Sequence, residues 1–341
     1  MMHRARKGPD RIGGVATSSL RIATVALALA LQPGAATAFD LQGHRGARGL
    51  APENTLAAFG MAIAIGVTTL ETDLAMTRDG VLVLSHDPQL NPALTRDATG
   101  RWISAPGPAI LTLSVQELAT YDVGRLNPAL PYAQQWPQQV PVDGERVPGL
   151  AQLFARARDA RTPGGRPIRF NIETKITPSN SGEAPDPAAF ALAVVAAIDS
   201  HQMAARVTVQ SFDWRTLTAL KRSAPGLATA CLTIESENMN TVRADASGAS
   251  PWHSGLKLAE HGGSIVRLAK AAGCDTWSPF WRNVTPAGVA EARALGLRVV
   301  PWTVNSEADL ARVIDLGVDG LITDYPDRAR RILDARGIRI D

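Results

Sequence analysis

Cysteine is nearly absent from this chain: Cys231 and Cys274 are the only two in 341 residues. They form no C-x-x-C pair, which argues against a thiolate zinc site or a redox dithiol. Beyond residue 38 no apolar run is long enough to cross a bilayer, so stable membrane insertion is not expected there. A charge excess is missing too. The formal net charge is +3, but Arg4, Arg6, Lys7, Arg11 and Arg21 against the single acid Asp10 account for it, and the remainder stands at −1. Without a basic stripe there is no electrostatic footprint for nucleic acid. No internal repeat is visible, which argues against a solenoid or propeller.

What is present begins with a leader. The basic residues above precede the apolar stretch Ile22 to Leu31, then Gln32-Pro33-Gly34 and the small-residue signal Ala36-Thr37-Ala38. This reads as a signal peptide over residues 1–38, cleaved before Phe39 and directing export to the periplasm or beyond. No cysteine follows the apolar stretch, so no lipid anchor is expected. Export permits a disulfide. For Cys231 and Cys274, which fall in adjacent expected strands, two buried free thiols are the simpler reading.

The remaining 303 residues (39–341) alternate strand-like and helical runs. Strands are expected at Phe39–Gly43, Thr69–Asp73, Ile168–Glu173, Arg206–Gln210, Ala228–Thr233, Asp275–Ser278, Leu297–Thr303 and Gly320–Thr323. Helices are expected at Asn54–Ile65, Pro187–Asp199, Trp214–Arg222, Ser264–Ala272, Pro286–Ala294, Glu307–Leu316 and Pro326–Asp334. Gly66, Gly273, Gly296 and Gly317 sit where helix C-caps belong, and Asn54 and Ser306 where N-caps belong. Eight strands with helices between them is the count of a TIM (β/α)8 barrel, here one domain. The run Val81–Ser85 follows the turn signal Asp79-Gly80 and reads as a hairpin folding back on the second strand. Residues 88–150 hold nine prolines and one short helical patch at Ser114–Ala119, and read as a capping insertion. The polar segment Glu235–Gly263 reads as a long loop.

In such barrels chemistry sits at the carboxyl ends of the strands. There the chain places His44 and Arg45, Glu71 and Asp73, Glu173 and Lys175, Gln210, Trp302 and Asp324. Glu71 and Asp73 are two apart, so both point to one face. Two inward carboxylates repel and are costly to bury, and a cation resolves that. Glu173 on the next barrel strand is the natural third ligand. A carboxylate-only set favours a hard cation, Ca²⁺ or Mg²⁺. Arg45 and Lys175 suit phosphate oxygens. His44 and His86 suit acid–base work, the hairpin bringing His86 back beside Asp73. Gln210, Trp302 and Asp324 are expected to line the substrate. His201, His253 and His261 read as surface residues, and Pro52-Glu53-Asn54-Thr55 chiefly as a helix start.

The ordered motifs His44-Arg45-Gly46, Pro52-Glu53-Asn54-Thr55, Glu71-Thr72-Asp73, Thr77-Arg78-Asp79-Gly80, His86-Asp87, Asn171-Ile172-Glu173-Thr174-Lys175, Gln210-Ser211-Phe212, Trp302-Thr303-Val304-Asn305 and Thr323-Asp324-Tyr325-Pro326 resemble those of the glycerophosphodiester phosphodiesterase family. The resemblance spans nearly the whole chain after residue 38. It implies a TIM barrel with an insertion after the second strand, a divalent cation at Glu71, Asp73 and Glu173, and His44 and His86 as the acid–base pair. It also implies hydrolysis of small-molecule glycerophosphodiesters to sn-glycerol 3-phosphate and an alcohol. Attack by the glycerol C2 hydroxyl through a cyclic phosphate and direct attack by water both fit. A lysophospholipase D or sphingomyelinase-D-like activity needs a larger apolar mouth than the scattered loop residues suggest. An exported phosphate-ester binding protein is the non-enzymatic alternative. The oligomeric state is left open.

Overall fold

A computed structural model describes residues 13–14, 38–179 and 182–340. The expected leader, residues 1–38, therefore lies outside the described residues apart from 13–14 and 38. The frame is eight parallel strands: β1 (Asp40–Gly43), β2 (Thr69–Met76), β4 (Arg169–Thr174), β5 (Val207–Ser211), β6 (Ala228–Thr233), β7 (Thr276–Pro279), β8 (Arg298–Val299) and β9 (Gly320–Thr323). They run in the order β8-β7-β6-β5-β4-β2-β1-β9. Backbone bonds from Asp319 N–H to the Val299 carbonyl and from Ile322 N–H to the Pro301 carbonyl, each 2.9 Å, join the two ends. The result is the TIM barrel.

The helices α1 (Leu56–Ile65), α4 (Leu150–Arg156), α5 (Pro187–Ser200), α6 (Trp214–Ser223), α7 (Ile265–Ala271), α8 (Pro286–Ala294), α9 (Glu307–Asp315) and α10 (Pro326–Ala335) follow the eight strands in turn. Two short helices, α2 (Val115–Leu118) and α3 (Pro131–Gln134), lie in the insertion. The strands alternate strictly. Leu41, Leu70, Leu74, Phe170, Ile172, Val209 and Leu321 face outward and join the helices in one apolar core. Each such buried side chain contributes roughly 1.5–3 kcal/mol. Many inward positions are polar: Asp40, Gln42, Thr69, Asn171 and Thr208 line the barrel interior, beside Ala230 and Val300. That polar lumen is why these parallel strands do not read as continuous apolar runs.

The hairpin forms as expected. β3 (Leu82–Leu84) pairs antiparallel with β2, Leu74 opposite Leu84. Beyond it the insertion has a small core of its own: Ala75, Val83, Leu90, Ile110 and Leu118.

Four expectations are corrected. The insertion is followed by α4, whose Leu150, Leu153 and Phe154 face the core; seven residues beside a proline-rich stretch gave too short a period to read. The N-cap of α1 is Thr55, whose hydroxyl accepts from Ala58 N–H, and Asn54 has other duties. β8 is two residues long because Pro301 has no N–H to donate. Cys231 and Cys274 are disulfide-bonded, with their Cα atoms 5.9 Å apart. Pairing β6 beside β7 brings them within bonding reach.

Candidate functional site

The register of three adjacent strands builds the centre. Asp73 on β2 lies beside Glu173 on β4, and Glu173 beside Gln210 on β5. Glu71 sits one inward position deeper on β2 and is 1 % exposed. One carboxylate oxygen from each of Glu71, Asp73 and Glu173 lies within 4.8 Å of the others. Gln210 donates to Glu71 Oε1 at 2.8 Å and accepts from the Asn171 amide at 2.8 Å. That chain orients Glu71.

The turn after β1 is wound tightly around these acids. Arg45 and Asn54 both hold left-handed backbone, at φ 50° and 54°, a conformation costly for side chains with a Cβ. Gly46, at φ 83°, has no room for a Cβ: Ala58 backbone carbon lies 2.6 Å from where one would sit. The strain has visible returns. Arg45 N–H donates to Glu71 Oε2 at 2.9 Å, and Asn54 N–H to the Arg45 carbonyl at 3.1 Å. The Asn54 amide donates to Asp73 Oδ2 at 3.0 Å and its oxygen accepts from Thr72 at 2.9 Å. The Arg45 guanidinium is clamped by Glu53 at 2.5 Å and faces Asp73 at 3.1 Å. Tyr132, from the insertion, donates its hydroxyl to Glu53.

Each histidine presents Nδ1 to a carboxylate. His44 Nδ1 lies 2.7 Å from Asp324, which also accepts from Arg48 at 2.8 and 3.0 Å and from Asn305 at 2.6 Å. His86 Nδ1 lies 2.8 Å from Asp87, itself held by Asn91 at 2.8 Å. Burial disfavours the charged form of Asp324, yet Arg48 and His44 hold its carboxyl far below the usual range. Asp87 is also lowered, by His86 and Asn91 against its own burial. Ionised carboxylates only accept, so both Nδ1 atoms carry the proton and both Nε2 atoms keep a lone pair. Burial lowers both imidazoles; for His86, Arg45 and Lys175 add to it and bring the value to about 4.

Charge balance tests the fit of a cation. Glu53, Glu71, Asp73, Glu173 and Asp324 are all buried. They face three cationic side chains, Arg45, Arg48 and Lys175. The cluster is two positive charges short. Burial, with repulsion from Asp73, pushes Glu71 well above the usual carboxyl range. Burial pushes Glu173 up to about 7 even with Lys175 at 2.8 Å. Asp73 Oδ1 is buried without a hydrogen bond. An all-oxygen set with this deficit suits a hard divalent ion.

A cavity of about 520 Å³ opens above, lined by His44, Arg45, Glu71, His86, Glu173, Lys175, Gln210 and Trp302 among others. Asp324 is the correction: it is fully buried behind His44 and does not line the cavity. His253 is another: expected at the surface, it is 1 % exposed and stacks on Trp214 with centroids 4.2 Å apart. Sequence reasoning missed Arg48, Glu53, Asn54, Asp87, Tyr132 and Asn305. Asp87 and Asn305 were legible as motif neighbours, and Glu53 and Asn54 were assigned to helix initiation instead. Arg48 and Tyr132 carried no local signal.

Fold and site together define a barrel phosphodiester hydrolase, with a carboxylate cluster suited to a metal and two histidines beside it. The chain belongs to the Glycerophosphoryl diester phosphodiesterase family, whose model matches residues 44–328. It is 27% identical over 288 residues to the glycerophosphodiester phosphodiesterase of Caldanaerobacter subterraneus, covering 83% of this chain and 93% of that protein. It is 29% identical over 290 residues to the one of Bacillus subtilis, covering 85% and 84%. A crystal structure from Silicibacter pomeroyi, provisionally assigned as a glycerophosphoryl diester phosphodiesterase, superposes with a TM-score of 0.77 at 34% identity, covering 89% of this chain and 96% of that one. An Oleispira antarctica phosphodiesterase solved with the product sn-glycerol-3-phosphate shares the fold at a TM-score of 0.62 and 20% identity, covering 87% and 97%. The family assignment sets aside the binding-protein alternative.

Proposed function

We propose the following reading of the site. The reaction is metal-dependent hydrolysis of glycerophosphodiesters to sn-glycerol 3-phosphate and an alcohol. Glu71, Asp73 and Glu173 hold the divalent cation, which supplies Lewis-acid charge to the phosphoryl oxygens when bound. Lys175 and Arg45 bring further positive charge to the phosphate as it develops. Arg45 is fixed for this by Glu53 and Asp73, and Asn54 keeps Asp73 turned toward the cation. One histidine, neutral, takes the proton of the attacking hydroxyl through Nε2; the other must enter the step as the imidazolium, so that it can give its Nε2 proton to the departing alkoxide and end neutral. Asp324 and Asp87 hold the rings in the tautomer this requires and stabilise the imidazolium that forms. Gln210 positions Glu71, and Trp302 forms a wall.

The single observation that carries this reading is the cluster's deficit of two positive charges between two carboxylate-backed imidazoles. Ca²⁺ is the proposed cation and Mg²⁺ the alternative; three carboxylates and no nitrogen or sulfur ligand suit the all-oxygen shell of either. The leader motif and the Cys231–Cys274 bond support export to an oxidising compartment.

Release of sn-glycerol 3-phosphate from glycerophosphocholine tests the activity, first in chelator and then with Ca²⁺ or Mg²⁺ restored. Metal-restored release is expected, with Ca²⁺ the better of the two. No release with either ion, nor from glycerophosphoethanolamine or glycerophosphoglycerol, would remove the reading.

A further inference from the structure

A second cavity, about 1150 Å³ with its open mouth, adjoins the first and shares His86, Glu173, Lys175, Phe212 and Trp302 with it. Its walls are Ile176, Phe212, Ile234, Met239, Trp252 and Trp302. Two of these, Met239 and Trp252, come from the long 235–263 segment that barrel periodicity does not explain. The aromatic walls stand edge to face: Phe212 meets Trp302 at 5.2 Å and Trp252 at 6.3 Å between centroids. Hydrolysis of a bare glycerophosphodiester needs no such surface. A large apolar cavity beside polar chemistry is the mark of a substrate with an apolar part.

The occupant could in principle be a quaternary ammonium, which aromatic faces attract. Two features oppose that. The Lys175 ammonium already lies 6.0 Å from the Phe212 ring centre. The one acid of the cavity outside the catalytic cluster, Glu183, is exposed at the rim and accepts from Gln89 at 3.0 Å. Continuity with the phosphate site and the aliphatic share of the walls point to a hydrocarbon chain.

We propose that this cavity receives the acyl chain of monoacyl glycerophosphodiesters, and that lysophospholipid-type diesters are better substrates than their deacylated counterparts. The proposal rests on the hydrolytic reading above and deepens it. Its test is a chain-length series of monoacyl glycerophosphocholines, from hexanoyl to decanoyl and below their micelle thresholds, beside glycerophosphocholine and glycerophosphoethanolamine. Choline release is read with metal present. KM should fall roughly twofold per added methylene until the cavity is full, half the gain of complete burial because the mouth is open. Trp252→Ala, and independently the milder Met239→Ser, should flatten that dependence and leave glycerophosphocholine turnover within twofold. Hydrolysis of glycerophosphocholine with no gain from the chain overturns the proposal alone. So does a gain that both variants leave intact, or a preference for choline over ethanolamine with no chain effect. Failure on every diester removes the hydrolytic reading, and this one with it.

Discussion

The two ends of the barrel bury acids in opposite ways. At the amino end Asp40 is 2 % exposed. It accepts from Gln42, Thr68, Thr69 and Arg169 at 2.6–2.9 Å and pairs with Arg298 at 3.4 Å. Burial opposes its charge, yet Arg169 and Arg298 hold the carboxyl far below its ordinary range. At the carboxyl end Glu71 and Glu173 are pushed upward, and Asp73 keeps a bare oxygen. A buried carboxylate is a fastener where donors outnumber it, as at Asp40, and is free to meet a cation where they do not. Satisfaction, not burial, marks which carboxylates are free to meet a cation.

Breaking the carboxyl end should give the largest effect. Glu71→Gln is expected to lower kcat/KM about a thousandfold or more, while raising the melting temperature in chelator by relieving repulsion. Steady-state kinetics and thermal melts with and without metal check both signs. Asp324→Asn should follow, at about a thousandfold in kcat, because the amide cannot enforce the His44 tautomer; the circular dichroism spectrum should be unchanged, and the melting temperature should fall as well because Arg48 loses its buried partner. The amino end should respond in reverse. Asp40→Asn is expected to cost roughly 2–3 kcal/mol in denaturant titrations, less than the loss of a fully buried pair because both arginines are partly exposed. Its kcat should stay within about twofold.

Asn54→Ala sharpens the comparison by removing one of the few donors that Asp73 has. A loss of 10- to 100-fold in activity or cation affinity is expected, the usual range for groups that orient a ligand. The smallest effect concerns a buried group with no partner of either sign. Burial holds His253 down to about 4 from an ordinary 6.5. The unfolded chain therefore binds a proton that the folded chain refuses. Stability is unaffected above pH 6.5 and falls as the pH drops from 6.5 toward 4, by about 1.4 kcal/mol at pH 5.5. His253→Phe, which keeps a ring against Trp214, should remove that part of the slope in melts at pH 7 and 5.5.

The comparison also explains what the sequence disclosed. Strand count, hairpin and the convergence of the three carboxylates were legible because alternation and i, i+2 spacing act within a few residues. Glu71, Asp73 and Glu173 lie at one strand end after another for that reason. The partners that decide each acid's fate were not. Asp324 sits at a strand end like the lining residues, and only the fold reveals Arg48 and Asn305 closing over it. Asn54 precedes a helix, so its capping chemistry masked its hydrogen bond to Asp73. Tyr132 reaches Glu53 from 79 residues away, across an insertion with no period to follow.

The disulfide has a consequence for how the molecule withstands cleavage of its chain. Its two cysteines, 43 positions apart, enclose the entire 235–263 segment, whose solvent-facing turns are open to a protease. A cut there separates two lengths of polypeptide that remain covalently joined, so the severed enzyme migrates as one species until reduced. The same bond withholds chain entropy from the unfolded state, worth about 4 kcal/mol for a loop of this length. Damage to that segment is thus kept from becoming loss of the barrel.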